Sequence, residues 1–165
     1  MLKNPILKKN LLKKIEKFKK NIVSIMTTLR VKLNVPNATK PTRSTKGSAG
    51  YDLYCVWESH IPPKSVHVCD TGISVQIMEG HYGRIAPRSS LSKKLIDVGA
   101  GVIDSDYRGP LKVILYNLSD KYYHIESGDR IAQLILEKIS TPEVEIVESL
   151  EDTERGEGGF GSTGK

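Results

Sequence analysis

From Leu29 onward, apolar and polar residues alternate with a period of two. Leu29, Val31 and Leu33 share one face, as do Ile73, Val75 and Ile77. That alternation predicts half-buried β-strands. RVKL, SVHV, GISVQIM, LKVILY, KYYHI, RIAQLILE and VEIV all read as short strands. Turn signals separate them at Pro36, Pro41, Pro62–Pro63, Gly72, Gly80, Gly109–Pro110 and Gly128–Asp129. Many short strands at this spacing predict an all-β sandwich or barrel, with one short helix near Ser92–Leu95. Before Leu29 the period is helical: Leu7, Leu11, Ile15, Phe18 and Ile22 recur at steps of four and three, with lysines opposite. No internal repeat is present.

Charge divides the chain at the same place. Residues 1–28 carry eight lysines against one acid, Glu16, so they hold +7 while the whole chain holds +6 and the remainder sums to −1. The basicity belongs to a leader, and the near-neutral body gives no footprint for nucleic acid. The leader reads either as a solvated extension, disordered or helical, or as a targeting or membrane-surface helix. Mitochondrial targeting segments favour Arg and Ser, whereas this one uses Lys and has a single Ser, Ser24. Met26 is an alternative start. The body alone points to a cytoplasmic or nuclear protein, and a targeting leader would make it mitochondrial.

Other function classes fall away on composition. At 165 residues, with 38% hydrophobic and 27% charged positions, the chain suits one globular domain. No apolar run approaches the ~20 residues that span a bilayer, so no stable membrane insertion is expected. Two cysteines, Cys55 and Cys69, make no disulfide scaffold, and no Cys/His cluster has zinc spacing. The expected organisation is a basic extension at 1–28, a β domain at 29–150 and a glycine-rich arm at 151–165.

The arm contains two phosphate-loop patterns, and both fail. Gly156, Gly158 and Gly161 match GxGxxG, but a dinucleotide fingerprint needs a following helix and a later acid. Gly159–Lys165 spells GxxxxGK, but a P-loop needs Ser or Thr next and then a helix. What remains is a run of unhindered backbone amides near Arg155, Ser162 and Thr163, which by composition alone does not fold.

Five segments carry the chemistry: AGYDLY (Ala49–Tyr54), GRIAPRSSLS (Gly83–Ser92), GAGVIDSDYRGPL (Gly99–Leu111), GDRIAQLI (Gly128–Ile135) and RGEGGFGSTG (Arg155–Gly164). Arg88 offers a planar fork of donors for phosphate oxygens, with the hydroxyls of Ser89 and Ser90 beside it. Asp104 follows the apolar pair Val102–Ile103, so it reads as anchored at a strand end, where a carboxylate can serve as a general base. Asp52 is a surface acid or a metal contact. Gln133 interrupts an apolar strand as an outward residue or a buried donor. Aromatics are only 6% of the chain, so Phe160 among glycines needs a reason.

In order, spacing and wording these segments resemble the five motifs of the dUTPases, deoxyuridine triphosphate nucleotidohydrolases, over Leu29–Lys165. The eukaryotic and large-DNA-virus type is the nearest. The resemblance implies a distorted jelly-roll or barrel subunit with one short helix, assembled as a homotrimer with active sites shared between subunits. It implies hydrolysis of dUTP to dUMP and pyrophosphate, supplying dUMP and keeping uracil out of DNA. It gives the general base to Asp104 and phosphate contacts to Arg88, Ser89 and Gln133. Ser90 stands where many members have Gly, and its backbone amide remains available. Backbone groups around Gly101 would pair with uracil, and Tyr107 would exclude a 2′-hydroxyl. Asp52 would reach Mg²⁺ through water. From the arm, Arg155 would meet the γ-phosphate, Phe160 would stack on uracil, and Gly161, Ser162 and Thr163 would donate to phosphates. The rivals are a related deoxycytidine triphosphate deaminase and a non-catalytic interaction protein on the same fold.

Overall fold

The structure is a computed structural model that describes residues 9–19 and 28–158. Residues 9–19 form helix α1, with Leu11, Ile15 and Phe18 exposed. The body then runs through β1 (Arg30–Leu33), β2 (Tyr51–Tyr54), β3 (Ser59–Ile61), β4 (Ser65–Asp70), β5 (Ile73–Gln76) and β6 (His81–Ala86). A four-residue helix, α2 (Ser89–Ser92), leads to β7 (Ile96–Gly99) and β8 (Val102–Ile103). The series closes with β9 (Lys112–Asn117), β10 (Tyr123–Ile125) and β11 (Arg130–Lys138). All pairings are antiparallel. They make a four-stranded sheet ordered β2-β11-β6-β8, a three-stranded sheet ordered β4-β9-β7, and the ribbons β1-β5 and β10-β3.

Strand β11 grows from the longest strand-like run and pairs on both edges. Its Ile131 and Ala132 are both buried although adjacent, which breaks the period of two. The cause is a register shift against β2 between Arg130 and Ala132; an extra residue of this kind re-aims its neighbours. Leu53, Ile61, Ile73, Leu115, Ile131 and Leu134 are fully buried in the one core cluster, each worth about 1.5–3 kcal/mol of burial. Gly83 of β6 lies against this core: a Cβ there would come 2.7 Å from Ile77 Cδ1 and 2.9 Å from Leu134 Cδ1.

Two expectations need correction. The helix ends at Ser92 instead of covering Ser92–Leu95, because Leu95 takes a left-handed backbone (φ 61) that a helix cannot continue through. VEIV forms no strand: residues 139–152 carry no strand, and Val144, Ile146 and Leu150 stand at least 86% exposed. The segment pairs with no described strand. The strands β2, β3, β6, β7 and β8 escape the sequence pattern: all but β6 have four residues or fewer, and β6 and β7 place Gly83 and Gly99 at buried positions.

Cys55 and Cys69 are buried free thiols in contact. Hydrogen bonding from Cys69 pulls the Cys55 thiol down to about 7, and the same contact pushes Cys69 up.

Asn117, fully buried at the end of β9, ties three segments together. Its Nδ2 donates to the carbonyls of Ile61 (3.0 Å), Pro62 (3.0 Å) and Lys121 (2.7 Å). Its Oδ1 accepts from the backbone N–H (3.0 Å) and hydroxyl (2.7 Å) of Ser119. Replacing Asn117 by Ala strands the buried Ile61 carbonyl and the partly buried carbonyls of Pro62 and Lys121 and should cost roughly 2–4 kcal/mol. Urea unfolding followed by circular dichroism measures this; a loss below 0.5 kcal/mol, on the order of a surface change, would show the hub is dispensable.

Candidate functional site

The pairing of β11 sets one row of side chains. Gln133 lies opposite Asp52 on β2 and opposite Ala86 on β6. Just past β6, Pro87 and Arg88 continue in extended conformation (Arg88 φ −94, ψ 136). Gln133 Nε2 donates to the Pro87 carbonyl at 2.9 Å. Arg88 Nε donates to Asp52 Oδ1 at 3.0 Å, and its Nη1 to the Arg130 carbonyl at 3.0 Å. Arg130 Nη1 reaches Asp52 Oδ2 at 3.2 Å.

One carboxylate thus holds two guanidiniums, and the cluster keeps a net positive charge. The Asp52 and Arg88 side chains are only 13% and 22% exposed, whereas Arg130 is 48% exposed, so water weakens the second pair. Arg88 Nη2 bonds no described residue and remains a donor for an incoming anion. Ser89 and Ser90 follow on α2, both exposed. Arg88, Ser90, Lys94 and Arg130 line a cleft of about 440 Å³.

A second pocket, about 510 Å³, opens at the turn from β7 into β8. Ala100 (φ 52) and Gly101 (φ 100) reverse the chain with left-handed backbones. The Gly101 carbonyl accepts from Ile85 N–H at 2.8 Å, and a Cβ on Gly101 would sit 2.7 Å from the Ile85 carbonyl oxygen. Asp104 follows β8 and opens a turn in which its carbonyl accepts from Tyr107 N–H at 3.2 Å. Its carboxylate is exposed and bonds no described residue. The Tyr107 hydroxyl donates to the Pro110 carbonyl at 3.1 Å. That ring lies where a Cβ on Gly109 would be, 2.6 Å from Tyr107 Cζ. Ile85, Lys112 and Ile114 complete a largely apolar lining with few polar groups, the usual make-up of a small-molecule site.

The sequence-predicted residues therefore fall into two groups within one chain. Asp52, Arg88, Ser90 and Gln133 gather around the cleft and its supporting row. Gly101, Asp104 and Tyr107 line the other pocket, and the two linings share no residue. Register fixes the separation. Ile103 pairs with Gly83, so Asp104 lies near the Tyr82 level of β6 while Arg88 lies beyond its other end. Six extended steps of about 3.4 Å put them about 20 Å apart along the strand, much longer than a triphosphate chain. Arg155 lines neither pocket; its Nε donates to Gly158 O at 2.7 Å within an exposed turn. Phe160, Gly161, Ser162 and Thr163 lie outside the described residues.

Sequence reasoning passed over four contributors. Arg130, to which the sequence assigns no role, shares Asp52 with Arg88. Lys112 gave no signal. Gly109 and Gly50 give up side chains so that neighbours can lie flat; a Cβ on Gly50 would sit 2.9 Å from Gln133 Cβ and Cδ and overlap its Oε1. The signal for both was a glycine beside a motif residue.

A family model described as dUTPase matches residues 36–164. The chain is 57% identical over 140 residues to the deoxyuridine 5′-triphosphate nucleotidohydrolase of Paramecium bursaria Chlorella virus 1, covering 84% of this chain and 99% of that one. It is 55% identical over 130 residues to the human enzyme named as mitochondrial, covering 78% of this chain and 52% of that longer protein. Among solved structures, a mutant dUTPase of Staphylococcus bacteriophage 80alpha with dUpNHpp superposes with TM-score 0.79 at 34% identity, covering 84% and 99% of the two chains. A phage phi11 dUTPase, described as revealing coordination of a structural Mg(II) ion, superposes with TM-score 0.72 at 30% identity, covering 76% and 100%.

Gly50→Ala should push the Gln133 amide off the Pro87 carbonyl and cost about 1–3 kcal/mol, as overpacking does. Gly47→Ala is the control, since a Cβ there meets nothing within 4 Å. Chemical denaturation of the two variants compares them; equal stabilities would show that the row does not depend on a bare Gly50.

Proposed function

The chain belongs to the dUTPase family, and from that membership we infer that it hydrolyses dUTP to dUMP and pyrophosphate in sites assembled between the subunits of a homotrimer. The observation that carries the shared site is the distance of about 20 Å between Asp104 and Arg88 along β6. Each belongs to a formed pocket, and a triphosphate chain does not span that separation. A second copy that brings its Asp104 pocket to this copy's Arg88 cleft completes the constellation.

Arg88, held by Asp52 through Nε, turns its remaining donors to the phosphates with Ser89, Ser90 and Gln133. Its planar fork is set before substrate arrives, so little ordering is needed on binding. The apolar pocket receives the base and sugar. Backbone groups around Gly101 pair with the uracil edge, and a base of the wrong pattern leaves polar groups unpaired at about 1–3 kcal/mol each. The Tyr107 ring, flat over Gly109, fills the space a 2′-hydroxyl would need. The Asp104 carboxylate orients a water and takes its proton as the water oxygen bonds the α-phosphorus. The bond from that phosphorus to the bridging oxygen breaks, and pyrophosphate leaves. Arg155, Phe160, Gly161, Ser162 and Thr163 close over the nucleotide from the arm, with Arg155 on the γ-phosphate and Phe160 stacked on uracil. The exposed Val144, Ile146 and Leu150 favour an arm that leaves its own subunit, since no described residue of the same chain covers them.

A divalent metal fits the family, and Mg²⁺ is the ion we assign. Asp52 already faces two guanidiniums, so it is no bare ligand for a cation. About half of its lone-pair sites stay open for water. The residues therefore suit an ion carried in on the triphosphate and met through water. When bound, Mg²⁺ neutralises phosphate charge and makes the α-phosphorus a better electrophile.

Hydrolysis assays with Mg²⁺ should show turnover of dUTP and little of dCTP, dTTP or UTP. Ammonia released from dCTP would instead point to the deaminase. Asp104→Asn should keep nucleotide affinity and lose roughly 10²–10⁴ in kcat; near-normal kcat would remove Asp104 from the base role.

The body alone fits a cytoplasmic or nuclear enzyme, and the basic helix at 9–19 is the one feature favouring mitochondrial import. A chain lacking residues 1–28 should hydrolyse dUTP at the full-length rate, because no site residue lies there. If truncation abolishes activity, the leader is part of the enzyme. Uptake and trimming of the full chain by isolated mitochondria decides the targeting role.

A further inference from the structure

Strand β10 lies on β3 so that His124 sits directly opposite His60. Their rings are 4.3 Å apart between centroids, tilted by 37°. Glu58 precedes β3 by one residue and Glu126 follows β10 by one, and each carboxylate comes 3.9 Å from His124 Nε2. Donor atoms of Glu58, His60 and His124 all lie within 4.8 Å of one another, and all three residues are exposed. Sequence spacing hides this cluster, because sixty-four positions separate His60 from His124. Only the strand pairing unites them.

We propose that Glu58, His60 and His124 form a surface site for a borderline divalent transition metal of the Zn²⁺ type, with the remaining position open to water or Glu126. Two imidazoles and a carboxylate are the donor set such ions select, whereas Mg²⁺ prefers oxygen alone. Zinc holds His nitrogen at about 2.0–2.1 Å and carboxylate oxygen at about 2.0–2.2 Å. Its donors then stand roughly 3.4 Å apart in a tetrahedron. The cluster reaches that spacing by closing about 1 Å or a little more, which exposed side chains do by rotation. The backbone need not move, since opposed strand positions keep their Cβ atoms about 4.5–5.5 Å apart. His124 and Glu126 also border the Arg88 cleft, but neither bonds Arg88 or Arg130, and His60 is not in that lining. The site therefore adjoins the phosphate cleft through His124, while His60 stands outside it.

The test is calorimetric titration of the untagged full chain with ZnCl₂ in excess Mg²⁺, which occupies oxygen-only sites. One Zn²⁺ per chain is expected. His60→Gln and His124→Gln should each weaken it roughly tenfold or more, while His81→Gln leaves it unchanged. In the same protein, His60→Gln should keep dUTP hydrolysis with Mg²⁺ at the wild-type rate. Co²⁺ added in place of Zn²⁺ should give visible absorption that the His60→Gln variant lacks. Absence of Zn²⁺ binding, or binding unaffected by the His60→Gln/His124→Gln double variant, overturns the proposal. Binding lost in Cys55→Ser but kept in His60→Gln overturns it as well, by assigning the ion to the buried thiols.

Discussion

Strand β11 pairs with β2 on one edge and β6 on the other, and the cluster of Asp52, Arg88, Arg130 and Gln133 depends on that double register. A slip of one residue on either side turns every side chain of the strand to the opposite face. Gln133 would leave the Pro87 carbonyl, and Asp52 would lose its place beside Arg88 and Arg130. The buried face makes such a slip costly, because Ile131, Ala132 and Leu134 are wholly inside. Core packing therefore does the positioning, and the polar groups receive a geometry that their own modest interactions could not impose. The register shift between Arg130 and Ala132 belongs to the same device, since it allows Arg130 to share Asp52 while its successors remain in the core.

Electrostatics then separates the two halves of the site. The β11 row carries two arginines on one carboxylate and attracts an anion. The β8 turn is apolar, with one exposed carboxylate and a tyrosine laid flat on a glycine. A nucleoside triphosphate needs both kinds of surface. One chain holds them at opposite ends of β6, and the proposed assembly brings them together.

Much of this was legible in the sequence. Alternation marked most of the strands, because a half-buried strand must present polar and apolar residues in turn. It missed β6 and β7, whose inner residues include Gly83 and Gly99, since a glycine left bare for a neighbour carries no hydropathy signal. VEIV alternates as well as any strand in the body, yet alternation cannot supply a partner edge. Asp52, Arg88, Ser90, Gln133, Gly101, Asp104 and Tyr107 were readable from the motifs. Their division between two pockets was not, because only the pairing of Ile103 with Gly83 sets the distance. The Glu58, His60 and His124 cluster was illegible for the same reason.

The most direct test of a site shared between subunits mixes two inactive variants. Asp104→Asn and Arg88→Ala chains are combined in equal amounts, allowed to exchange subunits through mild denaturation and refolding, and assayed with dUTP and Mg²⁺. If each site draws Asp104 from one chain and Arg88 from another, about a quarter of the sites are intact in random trimers. Activity should rise to about a quarter of the wild-type value. A mixture no more active than the two variants measured alone would place both residues of each site in one chain and contradict the account.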